Sequence, residues 1–248
     1  MIASLPMYDM PPIRGANDRF WALIRDGLRA HGIAAPDALT RGAETLWPQW
    51  QAPDLVLSQT CGMPYRTRLH GHVTLIGTPD YGLPGCPPGY YRSVFVAHRD
   101  DPRSDIAEFD ESLMAYNEAV SQSGWAAPLH HAAKLGIRLH PALQTGGHRL
   151  SLLAVAGGRA PIAALDALTW DLLRGSTPEA AVVKVVGYTD PTPVLPYISA
   201  TGADQPMMFA VIARAIAGLT PQDRATTRLR GIVAIPAETY LAVPTPQV

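Results

Sequence analysis

The chain has 248 residues, of which 47% are hydrophobic and 17% charged, with a formal net charge of −1. That balance suits one large globular core or two modest lobes and excludes a disordered or coiled-coil chain. No segment gathers lysine and arginine on one face, and no apolar run reaches the ~20 residues of a membrane span, so neither nucleic acid nor a membrane is an expected partner.

The N-terminus, Met1 to Tyr8, lacks the basic stretch and apolar run of a secretory signal, which favours a cytoplasmic location unless an export signal is missing from this sequence. Asn17 is placed to cap a helix that carries Phe20, Trp21, Ile24 and Leu28 on one face and ends near Gly32. Residues 54–57 read as a short buried strand entering a polar loop, Ser58 to Gly62, and residues 73–76 as another strand before a Gly/Pro-rich loop over 77–89. Residues 91–97 and 113–116 are further strands, and a helix is expected to begin just after Ser123. Helix over 148–156, strand over 162–165, helix over 167–173 and strand over 182–186 follow, until Asp190 to Pro193 breaks the pattern. The last third has two well-marked helices. One starts at Asp204 with Met208, Val211, Ile212, Ala215 and Ile216 on one face, and the other opens with Thr220 as cap and Pro221 at the first helical position.

This alternation predicts an α/β fold with a largely parallel sheet. Segments near 91–97 and 182–190 are placed to carry the chain out of one lobe and back, giving a lobe from residues 1–92 and 188–248 and a second from 93–187, with a ligand cleft between them. Cys61 and Cys86 are expected as free thiols, although two cysteines permit one bridge.

The segment Ser121-Gln122-Ser123-Gly124-Trp125 follows a strand and enters a helix. Unpaired amides at a helix start, the helix dipole and two hydroxyls suit a phosphate, phosphonate, sulfonate or carboxylate; the alternative is a plain N-cap. Ser58-Gln59-Thr60 repeats the design after another strand, either as a cleft wall or as an ordinary turn. In Thr145-Gly146-Gly147-His148, the glycines admit close backbone approach and the histidine ring is a candidate anion donor or a structural residue. Asp166, at a strand-to-helix turn, either faces the cleft or caps the helix that follows.

Taken together, these segments resemble the phosphonate-type periplasmic solute-binding proteins of ABC importers. The resemblance rests on Thr145 to Ala156 with Pro161 to Asp166, on Ser121 to Gly124, and on Thr192 to Ser199, within about residues 54 to 220. It implies the type II periplasmic-binding fold, two α/β lobes joined by hinge strands. It also implies that Ser121, Ser123, neighbouring amides and His148 hold an anion, while Tyr8 and Thr60 or Tyr65 supply contacts from the first lobe. Acidic partners for an aminoalkylphosphonate reduce to Asp190 and Asp166, while Trp125 and Trp170 add aromatic surface.

The expected function is capture of a small anionic ligand (phosphonate, phosphate ester or similar oxyanion), with an ABC permease as partner if the protein is exported. The alternative is a cytoplasmic enzyme or ligand sensor on the same fold, such as a thiamine-pyrimidine-related protein. No Gly-x-Ser-x-Gly elbow occurs, so no catalytic residue is assigned. No cofactor is expected. Nor is a metal, because His70 with His72 and His130 with His131 lack the spacing of a zinc site.

Overall fold

The computed structural model describes residues 1–42 and 46–246. They form two compact units, the first from Met1–Pro84 with Pro193–Leu241, the second from Gly85–Thr192 with the C-terminal residues from Ala242. In chain order the strands are β1 (Ile2–Ser4), β2 (Leu55–Gln59), β3 (Val73–Asp80), β4 (Tyr90–Tyr91), β5 (Ser93–His98) and β6 (Ser112–Tyr116). They continue as β7 (Leu139–Gln144), β8 (Ile162–Asp166), β9 (Val183–Tyr188), β10 (Thr192–Pro193), β11 (Tyr197–Ala200) and β12 (Gly231–Val233).

The first unit holds a five-stranded sheet in the order β1-β2-β11-β3-β12, and the second a five-stranded sheet in the order β7-β6-β8-β5-β9. Strands β4 and β10 form a separate two-stranded sheet. The expectation of a largely parallel sheet is corrected. β1–β2, β6–β7 and β6–β8 are parallel, whereas β11 runs against β2 and β3, β12 against β3, and β5 against β8 and β9. Both sheets are therefore mixed. β5 is the first long strand of the second unit and β11 the first after the return to the first unit, and each inserts antiparallel between neighbours laid down elsewhere in the chain.

In the second unit, β5 and β8 are buried along almost their whole length, as central strands covered on both faces must be. Phe95, Ala97, Ile162 and Ala164 pack there with Ile106, Phe109, Met114 and Val186 in one core. In the first unit, the helix Arg14–Ala30 buries Phe20, Trp21, Ile24 and Leu28, the stripe read from its spacing. The cap is different from the expectation. Ile13 precedes the helix, fed by a turn in which Ile13 and Arg14 amides both donate to the Met10 carbonyl, and Asn17 lies within the first turn with its Nδ2 donating to Asp9 Oδ1 at 3.0 Å.

Two other boundaries move, and a strand is added. β2 runs through Ser58 and Gln59, so those two residues are strand rather than loop. β3 continues past Gly77 to Asp80, where it pairs with β12, and Gly77 is glycine because Phe209 and Ile232 side chains, 2.8 Å from where its Cβ would stand, occupy the space a side chain would need. β7 is an additional strand; its Pro141 argues against a strand, but β7 pairs only with β6 at the sheet edge, where proline is tolerated. The helices at Gln205–Ala217 and Pro221–Thr227 follow the sequence closely, and the strand β12 and a helix, Ala237–Leu241, come after them. Thr220 accepts from the Asp223 amide ahead of Pro221, and Asp204 accepts from the Met207 amide.

Candidate functional site

The parallel trio β7-β6-β8 determines what meets at one edge of the second unit. Parallel neighbours end on the same side, and each of these strands runs into a helix start: β6 toward Gln122–Ala126 and Ala127–Lys134, β7 into His148–Ala156, β8 into Ala167–Arg174. β5 runs the other way, so its first residue, Ser93, pairs with Asp166, the last of β8. Loops far apart in sequence are thus gathered at one carboxyl edge, the usual position of ligands in α/β sheets.

Ser121 caps the turn that follows it, its Oγ accepting from the Gly124 amide at 3.0 Å. The Ala126 amide donates to the Ser121 carbonyl at 3.0 Å, so this first turn is a wide π-type turn before the α-helix proper. The cap reading of Ser121 is therefore realised, and Ser123 is left with a different partner. Its Oγ lies 2.9 Å from His148 Nε2, while its carbonyl accepts from Ser93 Oγ at 2.8 Å. Gln122, Ser123, Gly124 and Trp125 are all buried.

His148 is the first residue of its helix, after Gly147 in extended backbone and Gly146 at φ +85°. Gly146 needs its glycine for that conformation. A Cβ on Gly147 would meet no atom within 4 Å, so the protein itself imposes no glycine there. The Gly146 amide donates to the Asn117 carbonyl at 3.0 Å and the Thr145 amide to the Tyr116 carbonyl at 2.8 Å, tying this turn to the loop before Ser121. His148 as a residue is part-exposed, but its ring nitrogens are enclosed and Nδ1 has no hydrogen-bond partner. Burial pushes its imidazole down to about 4, against a smaller opposing effect of the Ala164 backbone. The ring is neutral at pH 7.

A serine hydroxyl beside a histidine can mark a nucleophile with its base. Here the histidine is a weak base at about 4, and no third group orients Nδ1. The pair is suited to hydrogen bonding. Asp166 is 2% exposed and its Oδ1 accepts from the Thr169 amide at 2.8 Å, so it caps its helix while standing at the same sheet edge. Trp125 and Trp170 are buried, and Arg174 lies 5.9 Å from the Trp170 ring.

In the first unit, the predicted residues fall together at the end of β2. Ser58 Oγ pairs with Ser4 Oγ at 2.8 Å, joining β2 to β1. Gln59 Nε2 donates to the Leu195 carbonyl at 3.0 Å and to Tyr81 Oη at 3.2 Å, and the Thr60 amide donates to the Pro196 carbonyl at 3.1 Å. Tyr8 packs edge-on against Tyr81 at 5.3 Å, and with Gln59 and Tyr197 they line a cavity of about 20 Å³, room for one water. Tyr65 packs instead on Tyr240 at 5.2 Å, and burial pushes its phenol up to about 12. Replacing Ser58 with alanine strands the buried Ser4 hydroxyl. A loss of about 1–2 kcal/mol in urea unfolding is expected.

Sequence reading did not single out Asn117, Ser93, Tyr81 or Tyr197. Ser93 and Tyr197 sit inside apolar strand runs, and only pairing reveals what they reach. Asn117, directly after β6, carried a readable signal as the first polar residue beyond a buried strand. Cys61 and Cys86 are not joined by a disulfide. Among the described residues no cluster of three potential metal ligands occurs, and no helix is long and apolar enough to cross a membrane.

Residues 56–237 match the family model described as ABC transporter, phosphonate, periplasmic substrate-binding protein. No curated protein matches the chain. Among solved structures, PhnD1 from Prochlorococcus marinus, in complex with methylphosphonate, superposes with a TM-score of 0.71 at 13% identity, covering 96% of this chain and 94% of that one. XAC2383 from Xanthomonas citri, bound to chloride ion, gives 0.69 at 16% identity over 96% and 92%. A binding protein component of an ABC phosphonate transporter, PA3383 from Pseudomonas aeruginosa, gives 0.65 at 15% identity over 96% and 82%. At these identities the structural likeness shows the fold alone, the periplasmic-binding α/β architecture.

Proposed function

This chain belongs to the phosphonate family of periplasmic substrate-binding proteins of ABC transporters, and on that premise we propose that it captures a small oxyanion, a phosphonate or phosphate-type ligand, and presents it to an ABC permease. The observation that carries the reading is the Ser123–His148 contact of 2.9 Å between two helix starts at one sheet edge. A helix start offers amides without intrahelical acceptors and the positive end of a dipole, and both favour an anion.

Which nitrogen of the neutral histidine carries the proton sets the direction of the hydroxyl. With the proton on Nε2, the ring donates to Ser123 Oγ and leaves the serine hydrogen free for a ligand oxygen. Such a site binds through neutral donors and releases its ligand unchanged. Tyr8, Gln59 and Thr60 are proposed as a further contact group of the first unit, and Asp166 as the acidic neighbour that disfavours a second negative charge on the ligand.

Calorimetric titration with methylphosphonate, phosphate and a sulfonate tests this. Binding of at least one is expected, and Ser121→Ala/Ser123→Ala should weaken it about tenfold to a hundredfold through lost charge-assisted hydrogen bonds. Absence of binding for all three anions would sink the reading. Turnover of the bound anion would replace capture with catalysis.

A further inference from the structure

The oxyanion reading leaves the Asn117 side chain at the second unit's site unexplained. Asn117 follows β6 directly, four residues before Ser121. Its carbonyl accepts from the Gly146 amide at 3.0 Å, so its backbone bridges the Ser121 loop and the turn that leads to His148. Its side chain lies over Gly124: a Cβ added there would stand 2.0 Å from Asn117 Oδ1 and 3.2 Å from His148 Cε1. Oδ1 is sealed from solvent and has no hydrogen-bond partner.

A buried amide oxygen without a donor is a cost that folding alone does not explain. The rest of the residue is part-exposed, and Nδ2 donates to no group among the described residues. The orientation has a physical reason. Pressed onto Gly124, the oxygen meets a Cα hydrogen, a weak but favourable contact. The reversed amide would bury two N–H donors there instead. The sealed oxygen therefore acts as a stop that turns the amide nitrogen outward, in the same place as the Ser121 loop and the His148 turn.

We infer that Asn117 is a ligand-contacting residue whose Nδ2 donates to an oxygen of the bound oxyanion, and that it selects ligands presenting an acceptor at that position. This rests on the oxyanion reading above. Gly124 belongs to the same device, because only a residue without Cβ lets the Asn117 side chain lie flat.

The test compares wild type, Asn117→Asp, Asn117→Ala and Ser123→Ala in calorimetric titrations with methylphosphonate and phosphate, with thermal unfolding alongside. Asn117→Asp keeps the shape but substitutes a charged acceptor for the donor, so it should lose at least as much affinity as alanine, about thirtyfold or more. Asn117→Ala should lose about tenfold while unfolding at or above the wild-type temperature, since it also removes the orphaned oxygen. Wild-type affinity in both Asn117 variants, together with weakened binding in Ser123→Ala, would overturn the role of Asn117 and leave the oxyanion reading standing. A wild-type protein that binds neither these anions nor the sulfonate would overturn both.

Discussion

Gly124→Ala is expected to weaken oxyanion binding about a hundredfold or more and to destabilise the second unit by about 1–3 kcal/mol. The backbone at Gly124 is not left-handed, so the demand is purely steric. A methyl there would stand 2.0 Å from Asn117 Oδ1, 2.9 Å from Asn117 Cγ and 3.2 Å from His148 Cε1. Asparagine is short, and its amide cannot retreat without rotating the whole side chain. His148 is held by Ser123, whose carbonyl is in turn held by Ser93. One methyl therefore disturbs both the Asn117 amide and the hydroxyl–imidazole pair, and that coupling places the binding loss above that of any single deleted hydrogen bond. The double variant Gly124→Ala/Asn117→Ala separates the two effects. It should recover most of the lost stability, because the two closest contacts are gone and only His148 Cε1 at 3.2 Å remains, without recovering affinity. Equal destabilisation in the single and double variants, measured by urea unfolding, would contradict the steric account.

Much of this arrangement is legible in the sequence because local chemistry and tertiary position agree. Ser121, Asp166, Asp204 and Thr220 all cap the segments that follow them, and each does so through its own side chain. The stripe of Phe20, Trp21, Ile24 and Leu28 marks a buried helix face whatever lies opposite. Where the reading fails, the deciding partner is distant. Asn17 looks like a cap, but a turn at Met10 starts the helix earlier and Asp9 takes its amide. Gly77 looks like the start of a loop, and its reason for being glycine lies at Phe209 and Ile232. Strand direction was equally out of reach, since a buried run such as Ser93 to Ala97 has the same composition parallel or antiparallel. At the candidate site, Ser123 and His148 carry visible signals, but the contact between them depends on β6 and β7 being parallel neighbours.

The second large effect is a pH dependence of stability centred on His148. In the unfolded chain this imidazole titrates near its ordinary 6.5, and in the folded protein burial holds it at about 4. As pH falls from 6.5 toward 4, the unfolded chain takes up a proton that the folded protein refuses. The folded state therefore loses stability across that window, is at its full value above it, and loses nothing further from this group below it. The total is about 2–3 kcal/mol, reduced from the full shift because the residue is part-exposed. Asp9, Asp190 and Asp223 are lowered from 3.8, and Arg103 holds Asp101 at about 2, so their stabilisation is lost in more acidic solution. His131, lowered by burial, acts in the same direction as His148, so the comparison must be with a variant. His148→Gln supplies it, retaining a donor toward Ser123 without a proton to gain. Chemical unfolding of both proteins from pH 8 to pH 4.5 should show wild type losing more stability than the variant below about pH 6. Parallel curves would mean that the folded site accepts the proton freely and that burial does not hold the His148 imidazole neutral.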